Sequence, residues 1–238
     1  MNGVGRKDYW ESLFLAKLPL PKKEIKGWIN EYAAPYKELM AYYSCAMMEI
    51  EMKFPVLKEE LSLQYDRNPI ETIKTRLKSV DSIADKLMKR NLSLTVDNIE
   101  RHIHDVAGVR VICRLSSDIY KVAEAFLRQD GITLLEKRDY VQKPKPSGYR
   151  SLHLIVEIPV FLHGEKRQIK VEIQFCTMSM DWWASLEHKI QYKKDVIVPK
   201  DIAKELRECA EALAILDNRM ERIKKKVGRS RGQGRMRL

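Results

Sequence analysis

Apolar residues recur every three to four positions through the first part of the chain, the spacing of one face of an α-helix. This spacing predicts helices at residues 36–54 and 70–90, with Pro35 and Pro69 at their starts. Proline is common at the first helical position because the N–H that it lacks has no partner there. We therefore expect residues 1–69 to form an N-terminal helical extension.

The spacing changes to that of β-strands in the middle of the chain. Short β-branched or alternating segments predict strands at residues 108–114, 132–141, 151–160 and 167–175. An amphipathic helix is predicted at residues 119–128, after the first strand, and the turn-like residues 162–165 join the last two strands as a hairpin. A crossover helix together with a hairpin predicts an α/β (α+β) fold, with a mixed sheet of about five strands flanked by helices.

Helical spacing returns at residues 180–192, and the last apolar residues repeat in a 4-3 rhythm: Ile202, Leu206, Cys209, Leu213, Leu216, Met220, Ile223 and Val227. A stripe this regular needs a partner surface, which is either the chain's own N-terminal helices or a second subunit. We expect a C-terminal helix at residues 196–227 that packs or oligomerises. The Gly-rich basic tail at 228–238 is expected to be disordered.

The charge balance favours anionic partners. Lysine and arginine number 44 against 33 acidic residues, a net charge of +11, which suits nucleotides, nucleic acid or an acidic membrane surface. The four cysteines lack the paired spacing of a zinc site or a disulfide framework, and this pattern favours the reducing cytoplasm. No apolar run reaches the length of a membrane span, and the first residues lack a secretory signal, so we expect a cytoplasmic protein.

Two acidic residues stand where acids are costly. Asp105 leads into the first predicted strand, and Glu172 lies inside the last one. Alternation places Glu172 on a polar face with Lys170 and Gln174, and this face is either open to solvent or lines a cleft. If Asp105 shares the cleft, the two carboxylates could hold Mg²⁺ together with substrate phosphates.

The segment KPKPSGYR at residues 143–150 combines cations, an aromatic ring and two prolines just before a strand. Proline fixes the backbone, and Gly148 permits a tight turn or a close backbone approach. Fixed cations beside Tyr149 suit a ligand with phosphates and a flat base. The alternative is a solvated surface turn, because charged loops are common.

Six segments resemble, in order, the motifs of the RelA/SpoT synthetase family: Arg76-Leu-Lys78, His104-Asp-Val-Ala-Gly-Val-Arg110, Arg138-Asp-Tyr140, Lys145-Pro-Ser-Gly-Tyr-Arg-Ser-Leu-His153, Val171-Glu-Ile-Gln174 and Trp183-Ala-Ser-Leu-Glu-His188. The chain is most similar to the small alarmone synthetases of that family. The resemblance implies a nucleotidyltransferase-like synthetase domain at residues 70–195. It also implies a homotetramer.

The implied reaction moves pyrophosphate from ATP to the ribose 3′-hydroxyl of GDP or GTP, giving AMP and the alarmone of the stringent response. Mg²⁺ is the implied cofactor, held by Asp105 and Glu172, with Glu172 also the base for the 3′-hydroxyl. Such a transfer requires charge neutralisation, in-line positioning and a base. The chain has no Gly-rich Walker loop, so side chains must bind the phosphates.

The resemblance also assigns residues to the two nucleotides. For ATP it implies that Arg76 and Arg110 stack on the adenine. It places Lys78, Ser82 and Lys86 around the phosphates. For GDP or GTP it implies that Tyr149 stacks on the guanine and that Arg138 and Lys145 bind the phosphates. The further residues of this site are Ser147, His153 and Ala184.

One position departs from the family pattern, because Cys176 stands where an arginine is usual. This departure favours a second possibility, a nucleotide-sensing homologue without catalysis. A nucleic-acid-binding protein is a third, motivated by the net charge, the basic tail and the aromatic-cation loop. That third possibility leaves Asp105 and Glu172 unexplained.

Overall fold

The computed structural model describes residues 34–65, 67–191 and 199–235. These ranges contain six helices and five strands, in the order α1 (Ala34–Tyr65), β1 (Ile70–Leu77), α2 (Val80–Met88), α3 (Val96–His102), β2 (Ala107–Cys113), α4 (Ser116–Leu127), β3 (Thr133–Asp139), β4 (Leu152–Leu162), β5 (Glu165–Thr177), α5 (Met178–Gln191) and α6 (Lys200–Arg235). Residues 1–33 of the predicted N-terminal extension lie outside the described ranges.

The five strands form one sheet in the order β1-β2-β5-β4-β3. The β2–β5 pair is parallel, and the other three pairs are antiparallel. The crossover helix α4 follows β2, and this connection returns the chain at the far edge of the sheet as β3. The predicted mixed sheet flanked by helices is therefore confirmed.

One face of the sheet is apolar and is covered by α1 and α4. Phe54 of α1 stacks on Phe126 of α4 with ring centroids 5.1 Å apart, and Phe175 of β5 meets both rings at 6.3 and 6.4 Å. Each such side chain contributes roughly 1.5–3 kcal/mol when it is fully buried. The helix predicted at residues 36–54 lies within α1, and it packs directly on the sheet that carries the site.

The first half of the helix predicted at residues 70–90 is wrong. Residues 70–77 form β1, and the helix α2 begins only at Val80. Ile70, Ile73 and Leu77 are spaced as on one face of a helix, although these residues form a strand. Antiparallel pairing with β2 decides the conformation, because it satisfies the backbone groups of β1. Ser79 then caps α2, its Oγ accepting a hydrogen bond from the backbone N–H of Ser82 at 3.3 Å.

The β4–β5 connection is a two-residue turn. His163 and Gly164 both have positive φ, 52° and 82°, and lie between the paired residues Leu162 and Glu165. Positive φ at both central positions matches the twist of the flanking strands. The hairpin predicted at residues 162–165 is therefore confirmed.

The long helix α6 has two different sides. Leu206, Ala210 and Leu213 face α5 and pack in a cluster with Trp183 and Ala184. Other apolar residues of the helix are exposed: Ile202, Ile215, Leu216, Met220, Ile223 and Val227. The stripe of 4-3 spacing is thus divided between a contact within the chain and an exposed surface.

The helix α6 is longer than the predicted 196–227 and continues to Arg235, into the region predicted as a basic tail. Residues 236–238 lie outside the described ranges. Among the helices that the structure describes, none combines the length and the apolar character needed to cross a bilayer.

Candidate active site

A row of polar side chains crosses the sheet on the face opposite α1. The strand register places one residue of each strand in this row: Lys74, Arg110, Gln174, His153 and Arg138. Residues paired across strands share a face. Glu172, two residues before Gln174, lies on the same face and is only 9% exposed, and His153 is 7% exposed. This part of the polar face is therefore a lined cleft rather than an open solvent face.

A pocket of about 190 Å³ opens at the β1–β2 end of this face. Arg76, Gly108 and Glu172 lie side by side in the register. A Cβ on Gly108 would lie 3.6 Å from Cγ of Arg76, so any larger side chain would occupy the space between Arg76 and Glu172. Arg110 also lines the pocket. The two arginines that the resemblance assigns to adenine therefore border one cavity.

Asp105 is held by the two lysines assigned to the ATP phosphates. Its Oδ2 accepts from Lys78 Nζ at 2.6 Å and its Oδ1 from Lys86 Nζ at 2.8 Å. Burial favours the neutral acid, but the hydrogen bonds and charges of both lysines outweigh it and lower the pKa of Asp105 to about 2. Asp105 is therefore ionised at neutral pH. Ser82 lies one helical turn before Lys86, at the start of α2.

Glu172 lies between two polar neighbours. Its Oε1 is 3.1 Å from Nδ1 of His153, and its Oε2 accepts from the side-chain amide of Gln174 at 2.7 Å. Burial raises the pKa of Glu172, but the hydrogen bond and charge of His153, with the Gln174 bond, lower it overall. The negative charge of Asp105 acts in the opposite direction, so the fields of the two carboxylates overlap.

Arg110 is fixed in the row by hydrogen bonds on two sides. Its Nε and Nη2 donate to Oε1 of Gln174 at 3.1 and 2.8 Å, and its Nη1 donates to Oδ1 of Asp181 at 2.9 Å. Asp181 also accepts from Lys74 Nζ at 2.7 Å. Burial raises the pKa of Asp181, but its bonds to Lys74 and Arg110 lower it overall. The guanidinium plane therefore has one preferred orientation beside the pocket.

Aromatic rings form the opposite end of the site. The hydroxyl of Tyr149 is 2.9 Å from Nε2 of His153, and Tyr140 contacts both rings edge-on. Lys145 Nζ lies over the rings of Tyr140 and Tyr149, 4.7 and 5.0 Å from their centroids. Burial raises the pKa of Tyr149 to about 12, and the phenol stays neutral. The loop predicted from its cations and ring thus brings Lys145 and Tyr149 together.

Ser147, Ala184 and Arg138 are the remaining residues that the resemblance assigns to GDP or GTP. The Oγ of Ser147 accepts from the backbone N–H of Tyr149 at 3.4 Å. Ala184 is buried in the cluster that Tyr149 borders. Arg138, on the edge strand β3, makes a two-pronged ion pair with Glu136. Its guanidinium is therefore bound to a carboxylate.

Two carboxylates fit the implied Mg²⁺ in number and charge. Among the described residues, no group of three or more His, Cys, Asp or Glu side chains could hold a metal ion by itself. Mg²⁺ is usually held by one or two carboxylates and by substrate phosphates, so a closed protein cage is not required. Asp105 and Glu172 would hold the ion, but only with a nucleotide.

Sequence reasoning did not assign Gln174 or Asp181 to the site. Gln174 was visible in the polar alternation with Glu172, so the pattern could have suggested it. Asp181 carried no such signal, because its partners Lys74 and Arg110 are more than 70 residues away in sequence. Cys176, at the position of the usual arginine, is buried, and burial raises its pKa to about 12. It supplies no cation to the site.

The comparisons with known proteins find relatives of similar sequence and fold. The sequence pattern of the region found in RelA / SpoT proteins matches residues 75–197. GTP pyrophosphokinase YwaC of Bacillus subtilis (strain 168) is 45% identical over 206 residues, which are 87% of this chain and 94% of that protein. A crystal structure of small alarmone synthetase 2 from Bacillus subtilis is similar with a TM-score of 0.72 at 44% identity, covering 80% of this chain and 98% of that one. Small alarmone synthetase 1 from the same organism, bound to its product pppGpp, has a TM-score of 0.75 at 32% identity, covering 81% and 97%.

Proposed function

This chain belongs to the RelA/SpoT family, and we propose that it is a GTP pyrophosphokinase of the small alarmone synthetase type. It transfers the β,γ-pyrophosphoryl group of ATP to the 3′-hydroxyl of GDP or GTP and releases AMP. The products are guanosine tetra- or pentaphosphate, the alarmones of the stringent response. The relatives that support this proposal are matched over nearly their full length.

The observation that carries the proposal is the position of Glu172 between two dissimilar half-sites. On one side Gln174 links its carboxylate to Arg110, which borders the pocket with Arg76. On the other side His153 links it to Tyr149. A group transfer between two nucleotides needs a base at the point where they meet, and Glu172 is the ionisable residue in that position.

The role of Glu172 follows from its protonation state. A carboxyl group with a lowered pKa is ionised at neutral pH and can accept the proton of a ribose hydroxyl. The hydrogen bonds from Gln174 and His153 orient its two oxygens. Glu172 therefore takes the 3′-hydroxyl proton as that oxygen attacks the β-phosphorus of ATP, and the bond from this phosphorus to the AMP oxygen breaks.

Lys78 and Lys86 neutralise Asp105 without nucleotide, and in the proposed complex they bind the ATP phosphates instead. Each ammonium group already pairs with the carboxylate of Asp105, so exchange of this carboxylate for a phosphate requires only side-chain rotation. Mg²⁺, when bound at Asp105 and Glu172, supplies charge neutralisation for the phosphate oxygens. Arg76 and Arg110 hold the adenine between their guanidinium planes.

The acceptor nucleotide binds at the aromatic end. The guanine stacks on Tyr149, and Lys145 with Arg138 binds the 5′-phosphates. Ser147, His153 and Ala184 complete this side. The ion pair of Arg138 with Glu136 is largely exposed, and exposed pairs contribute little, so a phosphate can displace Glu136 at small cost.

A nucleotide assay tests the proposed function. Purified protein is incubated with ATP, GDP and MgCl₂, and the nucleotides are separated by anion-exchange chromatography. We expect AMP and guanosine tetraphosphate in equal amounts, and no product when MgCl₂ is replaced by EDTA. Unchanged nucleotides would favour the sensing homologue without catalysis, and ADP in place of AMP would mean that a different group is transferred.

The proposal includes a homotetramer, which the family resemblance implies. Support comes from the number of large apolar residues that α6 leaves exposed, since clustered apolar exposure is typical of an interaction site. Leu213 packs inside the chain, so the informative change is Ile215→Glu with Leu216→Glu. Light scattering is expected to show a smaller mass for this double variant. The control Phe161→Glu, at an exposed position on the β4–β5 hairpin, should keep the mass of the wild type. A wild type that runs as a monomer would remove the tetramer from the proposal.

The cytoplasm is the proposed location. All four cysteines lie in the described ranges, and each is a free thiol. Free thiols persist in a reducing compartment, where the nucleotide substrates are also found.

A further inference from the structure

The loop that carries Tyr149 rests directly on helix α6. Gly148 has φ of 95°, and a Cβ at this position would lie 2.6 Å from Cβ of Ala210 and 3.5 Å from Cα of Arg207. Real Cβ atoms do not approach to 2.6 Å, so the contact is possible only because residue 148 lacks a side chain and residue 210 has a small one. The backbone of the loop therefore takes its position from the surface of α6.

The cluster that contains Ala210 also contacts Tyr149. Tyr149 packs against the cluster of Trp183, Ala184 and Ala210, together with neighbouring apolar residues of α6. The indole N–H of Trp183 donates to the backbone carbonyl of Leu206 at 2.8 Å, which fixes α5 against α6. Two consecutive loop residues, Gly148 and Tyr149, thus meet one cluster of α5 and α6 residues that contains Ala210.

Hydrogen bonds to Asp217 also hold α6 in place against the end of β5 and the start of α5. Asp217, seven residues and about two turns after Ala210, accepts hydrogen bonds from the hydroxyls of Thr177 and Ser179, each at 2.6 Å. Thr177 is the last residue of β5, the strand that carries Glu172. The loop, α6 and the strand with the proposed base are therefore connected through short, direct contacts.

We propose that Ala210 is a positioning residue for the acceptor-nucleotide site. This inference rests on the proposed function, because the loop matters for guanine binding only if Tyr149 stacks on that base. A larger side chain at position 210 displaces Gly148 and turns the ring of Tyr149 out of its place. The donor pocket lies at the β1–β2 end of the sheet and is not touched by this displacement.

The chain offers a matched pair of substitutions. Ala210 is 6% exposed and contacts the loop, whereas Ala212 is an exposed residue of the same helix. We expect Ala210→Leu to raise the KM for GDP by at least ~10-fold, the scale of losing one base stack. The KM for ATP should stay within about twofold of the wild type, because no donor contact changes. Ala212→Leu should leave both values unchanged, and thermal denaturation checks that both variants fold.

A compensating pair tests the contact itself, even if Ala210→Leu does not fold. Gly148→Ala introduces the clash from the loop side and should raise the KM for GDP. Adding Ala210→Gly removes the methyl group that the new Cβ meets, so the double variant should recover part of the affinity. Recovery is partial because the backbone at residue 148 keeps its positive φ. If Ala210→Gly gives no recovery, the contact does not position the loop and the inference is wrong.

Calorimetric binding of GDP and of ATP separates this inference from the proposed function. A wild type that binds both nucleotides but forms no product would contradict the proposed reaction, while the effect of Ala210→Leu on GDP affinity would still decide the role of Ala210. Equal losses for GDP and ATP would show general damage and overturn the inference. Unchanged GDP affinity in Ala210→Leu would overturn it as well.

Discussion

The two ends of the polar cleft are built from different interactions. The donor end, at β1, β2, α2 and the first turn of α5, consists of ion pairs, in which Asp105 binds Lys78 and Lys86, and Asp181 binds Lys74 and Arg110. The acceptor end, at β4, α5 and the 145–149 loop, consists of aromatic packing supported by α6. Glu172 lies between them and is hydrogen-bonded toward both.

This difference indicates how each end meets its nucleotide. Ion pairs exchange partners, so in the proposed complex the lysines leave Asp105 for the triphosphate of ATP and return after the reaction. Packed rings cannot exchange in this way, and the acceptor end must already have the shape of its ligand. We infer that the donor end is set by charge and the acceptor end by the position of α6.

The largest expected effect is at Glu172, which belongs to neither end. Glu172→Gln removes the base and keeps the side-chain size, so kcat should fall by at least ~10²-fold, the scale of general base catalysis. Both KM values should change less than kcat, because the residues proposed to stack on adenine and guanine remain. Steady-state kinetics measure both quantities, and Glu157→Gln on the neighbouring strand β4 is the control. An unchanged kcat would remove Glu172 from the mechanism.

The ion pairs of the donor end should appear in the pH dependence of stability. The pKa of Asp105 falls from its ordinary value of 3.8 to about 2 on folding, which corresponds to about 2 kcal/mol of stability. For an acid with a lowered pKa this contribution is present above pH 4 and is lost as the pH falls toward 2. Urea unfolding should show Asp105→Asn less stable than the wild type at pH 7, with a smaller difference at pH 3. A difference that stays constant would mean that the ion pair does not stabilise the fold.

A smaller and selective effect is expected at Asp181. Asp181→Asn removes the charge that holds Arg110 beside the adenine pocket, and one charge-assisted hydrogen bond corresponds to about tenfold in affinity. The KM for ATP should rise by that factor, and the KM for GDP should not. Asp97→Asn, which breaks an exposed pair with Arg101, should change neither value. A rise in the KM for GDP would mean that the two ends are not independent.

Much of the sheet could be predicted from local sequence pattern. The strands β2, β4 and β5 lie close to their predicted positions, because each is a short run that satisfies the period of a strand on its own. The strand β1 could not be recognised, since Ile70, Ile73 and Leu77 also fit a helix and only pairing with β2 decides between the two.

The candidate site divides in the same way. Glu172 and Tyr149 stand out in the sequence because a buried acid in a strand and a ring among cations are unusual. Asp181 and Ala210 act through residues that are distant in sequence. Gln174 has one nearby partner, Glu172, and one distant partner, Arg110. An alanine whose importance is its small size has no sequence signature. Only the fold, which brings α6 to the loop, reveals Ala210.

The most direct test of the division between the two ends is a crossed measurement of KM for ATP and for GDP in two variants. Tyr149→Ala should raise the KM for GDP by roughly 5- to 150-fold, equivalent to the ~1–3 kcal/mol of a base stack, and leave the KM for ATP near its original value. Arg76→Ala should raise the KM for ATP and leave the KM for GDP near its original value. Equal changes in both constants for each variant would contradict separate donor and acceptor ends.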